Sequence, residues 1–316
     1  MRPRLYFNLK CMYNRIMEVF EGNVKWIDIV QPKDEEIAWL KEHFNFHPVI
    51  IEELKESSAR AKVESFGEYL YLVYHSPVYD SVEKVSRRAE IDFLITKNEV
   101  ITVHYDDIEA YSDFKQSLKN EEFKKNALDN TLKLTRDLLG HLINFNQREL
   151  NHIEEKVESV ANELFNDEEK KLLEKISYLK RDLSEYQLIV RPQQHLFNSL
   201  LENGVNFWGP QSRVYLADLL GEYLKLLNRL DSYREAVADF EATNNQLMNV
   251  KTNEIMKTFT ILAFSTFPLT LIATIFTMRT GGLPFVDQRG GFWIVLGIMA
   301  IVVIAMALFF KRKRWL

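Results

Sequence analysis

Two stretches towards the C-terminal end carry no charge. Residues 258–278 and 290–310 are each 21 residues long. At ~1.5 Å per helical residue each reaches about 31 Å, enough to cross a bilayer's hydrocarbon core. The preceding chain is patterned differently. Over 1–128, β-branched and aromatic stretches at 4–9, 24–29, 69–74, 91–96 and 100–104 read as strands. Helical segments at 33–43 and 48–56 lie among them, and Lys97-Asn98 separates the last two strands near the spacing of a tight hairpin. From 129 the period becomes helical: Leu138, Leu142, Phe145, Leu150, Ile153 and Val157 recur at three-to-five residue steps among charges. This predicts a helical hairpin over 129–212, closed by a turn at 203–212, where two Gly and one Pro gather.

A very long helix is expected from Arg213. Its apolar seam runs Leu216, Leu220, Tyr223, Leu227, Leu230 and Val237, and its first steps alternate four and three as in a heptad. Core packing within one subunit explains part of such a seam. No Gly or Pro occurs between Glu222 and Phe267, so a stalk at 213–257 can run unbroken into the first apolar run at 258–278. To Met278 that helix would be about 100 Å long. The expected fold is therefore an α+β cytoplasmic domain, a long helical stalk and two transmembrane helices. Residues 279–289 form the external loop, 290–310 the second span and 311–316 a basic tail. Two spans alone enclose no aqueous path, so conduction requires several copies around one axis, each giving one helix.

Composition refines this picture. The mean hydropathy of −0.21 is that of a soluble protein and conceals the two spans. The net charge of −5 does not suggest nucleic-acid binding, and the single Cys11 excludes an intramolecular disulfide framework and a cysteine zinc site. Residues 1–10 have no apolar core of signal-peptide length, so the soluble body is expected to stay where it is made. Four consecutive basic residues, 311–314, outweigh Arg279 and Arg289 in the connecting loop, which Asp287 partly offsets. Both termini should be cytoplasmic, in a multi-pass protein of the cell (inner) membrane.

The first span carries a polar stripe. Asn253, Met256, Thr260, Ala263, Phe267, Thr270, Thr274 and Thr277 share one helix face, and five of the eight are Asn or Thr. Such a stripe faces water or a neighbouring helix, or its hydroxyls bond back to their own helix. Pro268 beside it removes one helix hydrogen bond. The second span is uniformly apolar from Phe292 to Phe310, as a lipid-facing helix should be. No Gly-x-x-x-x-Gly-Lys loop, His-Glu-x-x-His or nucleophile elbow occurs, so neither a nucleotide-driven pump nor an enzyme is expected. His141 and His152 lie on a charged helix and read as solvent-facing, and Phe207-Trp208 as a packing pair.

Several ordered segments resemble the CorA family of divalent-cation transporters, which includes the ZntB branch. They are Phe46-His47-Pro48, Arg60-Ala61-Lys62-Val63-Glu64-Ser65-Phe66 and Asn98-Glu99-Val100-Ile101-Thr102-Val103-His104. Thr252-Asn253-Glu254-Ile255-Met256-Lys257 through Pro268-Leu269-Thr270 and the basic tail 311–316 complete the set. The resemblance implies a funnel-shaped homopentamer whose first spans line the pore, with Asn253, Met256, Phe267 and Thr270 facing it. It also implies a cation sensor between subunits, Glu53 with Glu52 facing Asp218 of a neighbour. Carboxylates brought together repel, and a divalent cation relieves that repulsion. The cation, Mg²⁺ by default, would thus be both substrate and regulatory ligand, with the lipid bilayer and further copies of the chain as partners.

One motif departs from the pattern. Where the family carries Gly-Met-Asn at the outer end of the first span, this chain has Thr277-Met278-Arg279, although Gly281-Gly282-Leu283-Pro284 resembles the ZntB loop. Five Arg charges about 8 Å from a pore axis would oppose a divalent ion by roughly 5 kcal/mol in unscreened water, and by about 2 kcal/mol at physiological salt. Three resolutions stay open. Arg279 turns outward and leaves Thr277 and backbone carbonyls as the pore entrance; the protein passes another ion, such as zinc, or acts as a regulator; or cation flow is slow or outward. A non-conducting membrane-anchored assembly that senses cations or binds partners is the alternative function.

Overall fold

The computed structural model describes residues 17–58, 60–80, 85–106, 108–165, 169–278 and 290–313. The strand expected at 4–9 lies outside them. The chain forms two compact units that part between Glu241 and Ala242.

The first unit is built on one six-stranded sheet. Its strands are β1 (Met17–Glu21), β2 (Lys25–Val30), β3 (Lys62–Ser65), β4 (Leu70–Asp80), β5 (Val85–Ile95) and β6 (Glu99–His104). They lie in the order β1-β2-β6-β5-β4-β3. Among the described residues only β2 and β6 run parallel; every other neighbouring pair is antiparallel. The turn between β5 and β6 is closed by Thr96, whose amide and hydroxyl both bond the Glu99 carbonyl.

Alternation along the strands sorts residues into two cores. Leu70, Leu72 and Tyr74 on β4, with Ile91, Phe93 and Ile95 on β5, belong to the larger core. Tyr69, Tyr71, Val73 and Leu94 belong to the smaller. The smaller core is covered by α1 (Asp34–His43) and α2 (Pro48–Glu53), through Ile37, Leu40, Ile50 and Ile51. The larger is covered by α3 (Glu109–Ser117), α4 (Glu121–Ala127), α5 (Thr131–Glu163), α6 (Glu169–Val190) and α7 (Gln193–Trp208). The first part of α8 (Arg213–Thr277) joins them. The seam residues Leu216, Tyr223, Leu227, Leu230 and Val237 are all buried there, so this stretch of the heptad pattern is occupied by the subunit's own core.

The helical segment after 129 is three helices rather than a hairpin. Arg191 and Pro192 form a turn between α6 and α7, because proline supplies no amide for the preceding helix. The turn expected at 203–212 is also shorter. α7 continues to Trp208, and only Gly209, at φ 98°, and a 3-10 turn at Pro210–Ser212 precede α8. Gly204 is not a turn residue: a Cβ there would lie 2.5 Å from Leu216 Cδ1, so its smallness permits close packing of α7 against α8. Phe207 is buried and Trp208 Nε1 donates to Thr131 Oγ1 at 2.9 Å.

The second unit contains the end of α8 and α9 (Gly291–Arg312). α8 is a single helix of 65 residues that continues through Pro268, about 97 Å in length. Both α8 and α9 contain windows long and apolar enough to cross a membrane, with mean hydropathies of 1.9 and 2.9, and neither window is buried within the chain.

Candidate functional site

α2 begins at His47-Pro48. Proline at the first helical position needs no hydrogen-bond partner, and His47 Nδ1 accepts from the Val49 amide at 3.2 Å. Six residues later the helix ends on Glu52 and Glu53, with the buried Leu54 as its C-cap.

This end of α2 is tied to the sheet by buried polar groups. Glu90 on β5 accepts from Ser57 Oγ at 2.9 Å, the Ser58 amide at 2.6 Å and, at 3.2 Å, His75 Nε2. The Tyr105 hydroxyl lies 3.1 Å from the Leu54 carbonyl and 3.2 Å from Asp92 Oδ2. One hydroxyl proton serves one of these acceptors, so a protonated Asp92 supplies the other. Burial first, then the charge of Glu90, pushes the Asp92 carboxyl well above the usual carboxylate range, which fits that count. Tyr71 completes the chain by donating to Asp92 Oδ1 at 3.1 Å.

Of the candidate cation ligands, Glu52 and Glu53 lie at this anchor, whereas Asp218 is on a different element. Glu52 is exposed and pairs with Lys55 at 2.9 Å. Glu53 is half-buried and meets Lys62 Nζ through both oxygens, at 2.9 and 3.1 Å. The same ammonium lies 3.3 Å from Glu64 Oε1. Burial pulls the Lys62 pKa down, but the hydrogen bonds it donates to Glu53 and Glu64 outweigh it and hold the amine charged. Asp218 is exposed on the first turns of α8. Among the described residues no three His, Cys, Asp or Glu side chains of one chain converge as a metal site. Hard carboxylate oxygens at Glu53 suit Mg²⁺, which binds through one or two carboxylates and keeps several waters. His141, expected to face solvent, is half-buried instead: its Nδ1 donates to the Asp137 carbonyl at 2.9 Å and its ring packs edge-on against Phe114 and Phe123, whereas His152 is exposed.

The stripe on α8 is exposed in the single chain at Asn253, Met256, Phe267, Thr270, Thr274 and Thr277, and half-buried at Thr260. Each threonine hydroxyl donates back along its own helix: Thr260 to Met256, Thr270 to Thr266, Thr274 to Thr270 and Thr277 to Thr274, at 2.7 to 3.0 Å. The hydroxyl protons are thereby used, and the oxygens' remaining lone pairs make the stripe a row of acceptors. Met278 follows the helix end; Arg279 lies outside the described residues.

Lys62, Glu64, Tyr105 and Glu90 were not singled out as site residues in the sequence. Lys62 and Glu64 carried a usable signal, since an alternating Lys-Val-Glu on a strand puts both charges on one face.

A six-stranded α+β unit, one very long helix and two helices fit to cross a bilayer define a membrane protein with a large soluble body. Residues 21–312 match the family described as CorA-like Mg2+ transporter protein, and the chain belongs to that family. The cobalt/magnesium transport protein CorA of Thermotoga maritima is 24% identical over 92% of this chain and 83% of its own length. The magnesium transport protein CorA of Campylobacter jejuni is 26% identical over 96% and 95%. The solved CorA magnesium transporter of Methanocaldococcus jannaschii shares the fold, with a TM-score of 0.80, 21% identity and 93% and 92% of the two chains covered.

Proposed function

We propose that this protein is a passive transporter of divalent cations, with Mg²⁺ as the default substrate, working as a homopentamer in the cell membrane with both termini in the cytoplasm. The observation that carries this reading is α8, which continues without a break from the core of the soluble unit into an apolar window bearing a row of acceptors. A hydrated cation presents water hydrogens outwards, and threonine oxygens whose own protons are engaged accept from them. Asn253, Met256, Thr260, Phe267, Thr270 and Thr274 line the path in this reading, with Thr277, Met278 and Arg279 at its entrance. The ion moves down its electrochemical gradient, and no catalytic step enters. Bound cation at Glu53 and Glu52, facing Asp218 of a neighbouring copy, neutralises opposed carboxylates and favours the closed assembly.

The test is flux into proteoliposomes with Mg²⁺, Co²⁺, Ni²⁺ and Zn²⁺ compared side by side, together with the mass of the purified protein in detergent. Transport of none of the four, or a monomer in detergent and bilayer alike, overturns the proposal. Arg279→Asn is expected to raise cation flux. If the ring faces the pore, the ~2 kcal/mol of screened repulsion corresponds to roughly thirty-fold in occupancy.

A further inference from the structure

The carboxylate proposed to receive the regulatory cation already holds a cation of its own. Lys62 and Glu64 sit two residues apart on β3 and so on one face of that edge strand. Lys62 reaches across to the end of α2, touching both oxygens of Glu53 while remaining 3.3 Å from Glu64. Its side chain is 21% exposed, against 32% for Glu53 and 42% for Glu64. The amine also lies 5.2 Å from the centre of the Tyr71 ring. One ammonium thus has two carboxylate seats within reach, the less exposed of them being Glu53.

We infer that Lys62 is the resident counter-ion of Glu53 and sets the cation concentration at which the sensor fills, releasing Glu53 to an incoming divalent cation by moving its ammonium fully onto Glu64. This rests on the proposed role of Glu53. An ammonium and a divalent cation repel, so direct coordination at Glu53 requires the amine to withdraw. Glu64 makes the withdrawal easier by receiving the amine a short distance away, with no unpaired charge left behind. Lys62 therefore competes with the metal, and Glu64 relieves the competition. Neither needs to touch the ion.

The two residues then have opposite signs. In full-length protein in detergent, the thermal midpoint is measured against Mg²⁺ concentration; a ligand that binds the folded state raises it by mass action. Lys62→Gln is expected to lower the apparent dissociation constant by roughly two- to five-fold, about what losing an ion pair of this exposure would release. Glu64→Gln is expected to raise it by roughly two- to five-fold. In the Lys62→Gln background the Glu64→Gln change should have no further effect, because Glu64 acts only through the lysine. Lys62→Arg keeps the charge and should leave the constant at or above that of the parent.

Glu53→Gln separates the two levels of argument. If it leaves the Mg²⁺-dependent rise intact, the sensor role of Glu53 is wrong. If it removes the rise while Lys62→Gln leaves the constant unchanged or raises it, the sensor stands and the counter-ion inference falls. A loss of affinity from Glu64→Gln that persists without Lys62 also overturns the inference, since Glu64 would then be attracting the ion directly. Should Lys62→Gln fold poorly, Lys62→Met retains the stem over Tyr71, and Glu64→Gln, on a more exposed side chain, still tests the sign.

Discussion

Asp28→Asn tests whether the buried ionic cluster behind β2 holds the soluble unit together. Asp28 is fully buried. Its Oδ1 accepts from the Thr102 hydroxyl, which in turn accepts from Trp26 Nε1 at 2.9 Å. Its Oδ2 lies 2.7 Å from Lys115 Nζ and 3.3 Å from His104 Nε2. Lys115 also reaches Glu18 at 2.5 Å. His104 Nδ1 sits 2.6 Å from the Asp106 carbonyl, so both ring nitrogens face acceptors and the doubly protonated ring satisfies both. Two cations are balanced by two anions, one of them buried. The amide variant keeps the shape and removes that buried charge, leaving His104 without a counter-ion. Breaking a buried pair from one side costs about 3–5 kcal/mol. For a unit of this size that is a fall of roughly 6–20 °C in the thermal midpoint, towards the lower end if Lys115 swings out to Glu18.

The pH dependence supplies a second, independent readout. Burial raises the Asp28 pKa, but the His104 hydrogen bond and charge, with Lys115, outweigh it and leave it depressed. Burial likewise lowers the His104 pKa, and the Asp28 hydrogen bond and charge outweigh it and leave it raised. A depressed carboxylate stabilises fully above its unfolded value of about 4, and that contribution is lost as pH falls through the folded value. A raised imidazole stabilises fully below its unfolded value of about 6.5, and that contribution is lost as pH climbs through the folded value. Both are complete between roughly pH 4 and 6.5. Calorimetry of the parent should therefore show stability declining above this window, and the decline should be smaller in Asp28→Asn. A midpoint at pH 6 within about 2 °C of the parent, less than the equivalent of 1 kcal/mol, would refute the reasoning.

Three further outcomes are expected. Tyr105→Phe removes the hydroxyl between Leu54 and Asp92; it should cost about 1–3 kcal/mol and speed amide hydrogen exchange at residues 54–58, measured by mass spectrometry. Gly204→Val pushes a side chain into Leu216 and should destabilise by about 1–3 kcal/mol, visible as a lower unfolding midpoint. Phe267, 72% exposed in the single chain, would form an apolar ring in the proposed pore. Phe267→Ser should then raise Mg²⁺ flux into proteoliposomes by about ten-fold, the equivalent of ~1.4 kcal/mol of a dewetting barrier; unchanged flux would place Phe267 outside the path.

The parts of this fold legible in the sequence are those where one physical constraint dominates. The apolar windows of α8 and α9 need only length and hydropathy to be recognised. β2, β4 and β6 are largely buried strands rich in apolar residues. The strands β1 and β3 escaped because they are short and none of their residues is buried, with glutamates breaking up β1 and Val63 the one apolar residue of β3. The end of α7 was misread because glycine carries two meanings. Gly209 has a positive φ and does end a helix, as Pro210 directly after it signals, whereas Gly204, five residues earlier, has no such neighbour and is present for close approach to Leu216.

The candidate sensor follows the same logic with a different limit. Glu52, Glu53 and Asp218 were reached through resemblance, which points to the residues that would touch a ligand. It does not identify the groups that decide when the ligand is admitted. Those depend on which side chains the fold brings across from another element, and Lys62 reaches Glu53 only because β3 pairs with the edge of β4 while α2 covers the same face of the sheet. A strand bearing Lys62 and Glu64 on one face shows that two opposite charges share a surface. The third charge, on α2, turns that ordinary pair into a choice between two carboxylates, and only the tertiary structure contains that choice.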